Sequence, residues 1–231
     1  MCRSSGGLSE LQGSLGGVNM VLTSQSFKDY ILALTTLFEQ KKDELCELDR
    51  KIGDGDHGVT MDIGYQAVKE SIHNELASQS DIAKISVAVG KRFLDAVGSS
   101  VGPLYASGYL KGAVAIKNQT ELDDTGLYQF WIAFSKGIKD RGKAEIGDKT
   151  MIDTLEPFYK SLMESMDQDV PFTEGYNKAL KEAHLGMEST KDIISNKGRS
   201  KRLGYRSQGH VDPGAMSAYL MLQTFGSFIK D

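Results

Sequence analysis

Residues 27–48 read FKDYILALTTLFEQKKDELCEL, and their apolar spacing decides the fold class. Phe27, Tyr30, Ile31, Leu34 and Phe38 fall at i, i+3, i+4, i+7 and i+11, with Leu45 and Leu48 extending the stripe of an amphipathic helix. The same period returns along the chain. Ile82, Ile85, Val89 and Phe93 carry it behind Asp81, a candidate N-cap, and Leu127, Phe130, Trp131, Phe134 and Ile138 carry it again. Met151, Ile152, Leu155, Phe158, Leu162 and Met166 form a further stripe that ends before Pro171. Ala179, Ala183 and Gly186 give a helix a small-residue face suited to close packing. Asp212-Pro213 pairs an N-cap with a proline at the first helical position and starts a last helix over 215–229. Two shorter helices near 58–74 and 103–116 bring the count to about eight. No segment alternates apolar and polar residues between turn signals, so the expectation is an all-α fold.

Composition narrows the function classes. With 40% hydrophobic and 25% charged residues in 231, the chain has an ordinary globular mix, which excludes wholesale disorder. No apolar run approaches the ~18–20 residues that span a bilayer, so no membrane role is expected. A formal charge of −4 argues against a general grip on nucleic acid. Two cysteines, Cys2 and Cys46, make no disulfide framework, and without a secretory signal the chain reads as cytoplasmic. Residues 1–19, with five Gly and four Ser, read as a disordered or vector-derived leader. Residues 20–231 show no linker and read as one domain, a monomer or weak dimer.

The 25 glycines gather in the joints between helices, mixed with Asp, Ser, His, Thr and Arg. One glycine per joint serves a helix cap; two or three among phosphate- and metal-binding residue types point to loops meeting in a polyanion site. The strongest joint is L-D-R-K-I-G-D-G-D-H-G, residues 48–58, which spaces Asp49, Asp54 and Asp56 as D-x4-D-x-D. If the chain doubles back after Asp49, the carboxylates face one point. Within ~5 Å each pair repels by ~3 kcal/mol at an effective dielectric near 20, so a cation belongs among them. Hard oxygen donors select Mg²⁺ or Ca²⁺.

An EF-hand fails here, because a loop begun at Asp54 puts Val59 and Tyr65 where Gly and Glu are needed. Gly53 to Gly58 spells G-x-G-x-x-G, but a charged helix precedes it and its carboxylates oppose a pyrophosphate, so a dinucleotide fingerprint fails too. The competing reading is a solvated acidic turn with Asp56 as a helix N-cap.

Three further joints carry weaker signals. G-K-A-E-I-G-D-K-T, residues 142–150, misses a P-loop by the insertion of Asp148, yet Lys149 or Thr150 at a helix start could meet an anion; an ordinary cap is the alternative. G-S-S-V-G-P-L, residues 98–104, is a small-residue turn entering a helix. Residues 198–214 concentrate Arg199, Lys201, Arg202, Arg206 and His210, the only local basic cluster. A basic loop facing an acidic metal loop suits a nucleotide, with an arginine on a phosphate or on charge developing in transfer; Lys201 and Arg202 also read as solvated. His73, His184, Cys46 and Trp131 read as structural.

These four motifs, in this order and spacing, resemble the nucleotide-binding L subunit of phosphotransferase-system-dependent dihydroxyacetone kinases, from about Leu45 to the C-terminus. The resemblance implies a barrel of eight antiparallel amphipathic helices with the nucleotide across one end. It implies that Asp49, Asp54 and Asp56 bind two Mg²⁺ and, with Arg199, form the catalytic set. Carried over by position, His57, Gly58, Val59 and Thr60 lie on the phosphate side and Ser99 and Ser100 in the phosphate-binding turn. Gly142 and Met151 flank base and ribose, Arg199 is a polar nucleotide contact, and Asp212, Pro213 and Gly214 form the last binding segment. The implied cofactor is ADP/ATP. An M subunit with a phosphohistidine recharges it, and a K subunit presents dihydroxyacetone. Three carboxylates and ADP sum to a charge of about −6, which two Mg²⁺ reduce to about −2, so binding is expected to need metal. Thr60, Val101 and the stretch 201–205 depart from the family pattern. They leave open an ATP-dependent kinase subunit for another ketose such as erythrulose, or a nucleotide-bound protein docking on a transcription regulator.

Overall fold

The computed structural model describes residues 20–229; the leader proposed for 1–19 lies outside them. Eight α-helices make up the described chain: α1 (Ser24–Ile52), α2 (His57–His73), α3 (Ile82–Ala96), α4 (Val101–Ala115), α5 (Asp124–Gly142), α6 (Met151–Asp167), α7 (Phe172–Ser189) and α8 (Pro213–Phe228). Two 3-10 helices, Thr190–Asp192 and Ser200–Ser207, occupy the long connection between α7 and α8. Each helix packs on the next, and α8 returns to α1 and also touches α6, so the series closes on itself. The all-α expectation holds. The one pairing that sequence periodicity missed is two residues long on each side: β1 (Leu22–Thr23) runs antiparallel to β2 (Glu121–Leu122). Two residues are too few to show an alternation.

The helix starts follow the expected chemistry. Asp81 Oδ1 accepts from the Lys84 N–H at 3.1 Å, and Asp212 Oδ2 from the Ala215 N–H at 2.8 Å. Thr150 and Asp153 cap α6 reciprocally, and Thr23 and Asp123 cap α1 and α5. Inside the ring the apolar stripes meet in an aromatic core. Trp131 packs edge-on against Tyr30, Phe158 and Phe225. Buried tyrosine hydroxyls find partners without leaving that core: Tyr30 donates to Met221 O, Tyr176 to Leu222 O, and Tyr65 and Tyr109 pair with each other at 2.9 Å. Cys46 is buried and free, as its place on the apolar face requires.

Short connections make sequential neighbours antiparallel. An up-and-down order then sorts the loops by parity. The α1–α2, α3–α4, α5–α6 and α7–α8 connections share one end, and these are the four glycine-bearing joints of the sequence. The other end carries β1 and β2, where Ser24 N–H donates to Thr120 O at 3.1 Å and Ile82 N–H to Gln119 O at 2.9 Å.

The small face of α7 is what lets it lie against α6. Ala179 and Ala183 are fully buried, and a Cβ on Gly186 would overlap the backbone carbonyl of Asp153. Gly186→Ala should therefore cost about 1–3 kcal/mol through forced separation of the two helices. A urea unfolding titration at neutral pH checks this, and an unchanged midpoint would contradict the packing described.

Candidate functional site

The four joints enclose a cavity of about 500 Å³ at their shared end of the ring. All four even-numbered helices begin there, so their unpaired first-turn N–H groups and positive dipole ends converge on it. That arrangement favours an anion before any side chain is considered.

The acidic turn is built around one carboxylate. Asp49 lies in the last turn of α1, and the chain doubles back over it. Its Oδ2 accepts from the backbone N–H groups of Gly55 (2.9 Å), Asp56 (2.9 Å) and His57 (3.2 Å). Three glycines make the turn possible for three reasons. A Cβ on Gly53 would overlap the Asp49 carboxylate, and Gly55 has a φ of +82°, in the left-handed region. A Cβ on Gly58 would overlap the Lys42 carbonyl and press on Cys46 Sγ, so Gly58 lets α2 start close against α1.

With the turn closed, one carboxylate oxygen from each of Asp49, Asp54 and Asp56 lies within 4.8 Å of the others. Asp49 is buried; Asp54 and Asp56 are exposed to the cavity mouth. Asp56 stands at the N-cap position of α2, but its side chain makes no capping bond there. It is free for the cluster. The donors are all hard oxygens, and the buried member is already oriented by the backbone, a set that fits Mg²⁺ or Ca²⁺. Arg199 closes the cluster from the opposite side: its guanidinium pairs with Asp54 and stands 3.5 Å from Asp56.

His57 is buried at the cavity floor. Burial lowers its pKa from 6.5 to about 4, so the ring is neutral near pH 7. Its Nε2 lies 2.9 Å from Ser217 Oγ, whose own proton goes to Gly214 O at 3.0 Å.

The sequence-derived residues divide cleanly around the cavity. Asp49, Asp54, Asp56, His57, Thr60, Ser99, Ser100, Gly142, Met151, Arg199, Asp212, Pro213 and Gly214 all line it. Gly58 and Val59, expected on the phosphate side, do not line it. At 100° per residue His57 and Thr60 share a helix face and the two residues between them turn away. Gly58 faces α1, and Val59 is 42% exposed. What these two offer the cavity is backbone N–H.

At the start of α6 the ordinary-cap reading holds for Thr150, and Lys149 turns inward. Its side chain is 1% exposed and its Nζ donates to the carbonyls of Thr190 and His210. Of the basic stretch, Lys201, Arg202 and Arg206 are exposed and none of them lines the cavity. Tyr105 and Ser217, which stand behind His57 as a hydroxyl pair at 3.3 Å, carried no local signal in the sequence. Ser217 lies 160 positions from the histidine it orients.

Asp212 stands where α8 starts, and burial raises its pKa to about 7 against the Ala215 N–H and the Lys149 charge, which both lower it. The folded chain thus keeps a proton there that the unfolded chain releases near 3.8. The stability this contributes is full below pH 3.8 and is lost as pH rises through about 7. Asp212→Asn keeps a capping acceptor and cannot ionise. Its stability relative to the parent chain should rise between those pH values, by a few kcal/mol at most. Urea titrations across that range in the absence of nucleotide measure it; a constant difference would contradict the burial described.

Comparison with known proteins adds independent observations. The model of the DAK2 domain family matches residues 51–227. The chain is 34% identical over 211 residues to the ADP-binding subunit DhaL of a PEP-dependent dihydroxyacetone kinase of Listeria innocua, covering 91% of this chain and 97% of that one. It is also 34% identical to the ADP-binding subunit DhaL of the PEP-dependent dihydroxyacetone kinase of Escherichia coli K12, covering 92% of this chain and all of that one. A crystal structure of the dihydroxyacetone kinase from C. freundii, in complex with AMP-PNP and Mg²⁺, shares the fold with a TM-score of 0.64 at 21% identity. The likeness covers 98% of this chain and 38% of that longer one.

Proposed function

The chain belongs to the DAK2 domain family, and on that premise we propose that it is the nucleotide-carrying subunit of a dihydroxyacetone kinase. In this reading it holds ADP or ATP with two Mg²⁺ in the cavity at the loop end of the ring. A phosphohistidine on an M-type partner recharges the nucleotide, and the γ-phosphoryl passes to dihydroxyacetone on a K-type partner. The observation that carries the reading is the meeting of Asp49, Asp54 and Asp56 on one point, at the mouth of a cavity where four helices begin.

Asp49, Asp54 and Asp56 would hold the metal, whose chemistry is to neutralise phosphate charge and fix phosphate oxygens in line for transfer. The protein's own part is positioning. Backbone N–H groups at the start of α2, together with Thr60, Ser99 and Ser100, face the phosphates. Met151, Gly142 and the segment Asp212-Pro213-Gly214 give the base and ribose their wall. Arg199, whose guanidinium already stands over Asp54 and Asp56, supplies positive charge where the γ-phosphoryl would leave. His57 is neutral and held by Ser217, so it orients rather than attacks. None of these residues pairs a nucleophile with a base, which suits direct transfer between nucleotide and partner.

Two measurements test this. Protein purified and then denatured should release near-stoichiometric ADP, and treatment with EDTA beforehand should strip the nucleotide. Asp54→Asn should lose Mg²⁺-dependent nucleotide binding by calorimetry while its circular dichroism is unchanged. A chain that comes empty and stays empty with Mg²⁺ and ADP or ATP would end the proposal, as would an Asp54→Asn variant of undiminished affinity.

A further inference from the structure

Two of the stretches that contribute to the cavity, Gly142 to Met151 and Asp212 to Gly214, come from loops that are far apart in sequence. Gly214 approaches the start of α6 at Met151, whose N and Cβ a Gly214 Cβ would meet at 3.7 and 3.8 Å, and Thr154 Oγ1 donates to Ala215 O at 3.0 Å. A further link runs through Lys149. One residue before the Thr150 cap of α6, Lys149 adopts a left-handed backbone (φ +62°), and its side chain is almost fully buried at the cavity wall. Its Nζ reaches Thr190 O and His210 O, both at 2.5 Å. Those carbonyls flank the start of α8: Thr190 Oγ1 accepts from the Asp212 N–H at 3.0 Å, and His210 is two residues before Asp212.

The rest of the junction converges on the same point. Asp153 accepts from the Gly147 N–H at 2.6 Å and from the Thr150 N–H at 2.7 Å, so the loop ahead of α6 is tied to that helix's first turn. Asn196 N–H donates to Asp148 O at 3.1 Å, and Gly209 N–H to Lys191 O at 2.7 Å. Burial lowers the pKa of Lys149, and the carboxylates of Asp212, Asp153 and Asp192 oppose that shift from beyond ion-pair distance. A buried cation is costly unless it is satisfied, and this one is met by two carbonyls.

We propose that Lys149 is a positioning residue for the nucleotide: its buried ammonium clamps the start of α8 to the start of α6, so that the Met151 and Asp212-Pro213-Gly214 walls are set before ligand arrives. The inference rests on the nucleotide reading above. It assigns Lys149 no contact with phosphate, unlike the lysine of a P-loop. A wall held in advance spares the ligand the ordering of two loops, and removing the clamp charges that ordering to binding.

The experiment compares wild type, Lys149→Met and Lys149→Arg. Each is assayed for Mg²⁺–ADP affinity by calorimetry, for thermal unfolding, and for amide exchange without nucleotide. Wild type is measured first: failure to bind ADP there defeats the nucleotide reading and not this one. With binding present, Lys149→Met should bind ADP about tenfold or more weakly, as losses of supporting contacts behind a site commonly do. Its exchange should accelerate at 143–152 and 208–215 and stay unchanged in α2, α3 and α4. Lys149→Arg keeps the cation and should fall between the two in affinity. If Lys149→Met does not fold, Lys149→Arg decides the matter: weakened affinity with exchange raised in those two segments supports the clamp. Wild-type affinity in a folded variant overturns it, and so does accelerated exchange spread over the whole ring.

Discussion

The carboxylate of Asp49 is the point about which the loop end of this molecule is organised. Accepting three successive backbone N–H groups on one oxygen, it stabilises a turn that would otherwise place three acidic side chains together at a cost. Because that turn is the α1–α2 connection, it also sets where α2 begins, and with it the direction of the first-turn amides of α2. Gly53 leaves room for the carboxylate and Gly58 for the approach of α2 to α1, so the acidic cluster and the helix packing are satisfied by the same short turn.

Charge at the cavity mouth is balanced from several directions. Asp54 and Asp56 face solvent and Arg199, which arrives from a different joint. Four helix N-termini add partial positive charge around them. The helix ends attract a polyanion and the acids repel it, and cations bound among the carboxylates would relieve that repulsion. Lys201, Arg202 and Arg206, from the same joint as Arg199, stay on the outer surface. Their contribution to the cavity is a long-range field, which salt screens.

Beneath the cavity the polar groups are few and each has a definite partner. Ser217 fixes the His57 ring, and Lys149 joins the ends of α6 and α8 through Thr190 and His210. Ser217 lies behind the cavity lining, and Lys149 is part of it. Above the aromatic core they are what makes the wall rigid, since the tight contacts of Trp131, Tyr30 and Phe225 hold the helices but do not reach the loops.

Helix number and the caps at Asp81 and Asp212 were legible in the chain, because an amphipathic period is a local property repeated every turn and an Asp at its start is a local signal. So was the acidic cluster, because Asp49, Asp54 and Asp56 lie within one short turn and spacing nearly dictates their meeting. The parity that gathers the four joints at one end follows from the shorter connections between successive helices from α1 to α7. What the chain order could not express was facing. Gly58 and Val59 sit inside the same motif as His57 and Thr60, yet helical rotation turns them from the cavity. Lys149 has the look of a phosphate ligand in its motif, yet it is buried against carbonyls from residues 41 and 61 positions away. The His57–Ser217 bond spans 160 positions. Burial and long-range partners arise only when helices close into a ring, and there desolvation, not residue type, decides whether a lysine meets a ligand or holds the wall behind it.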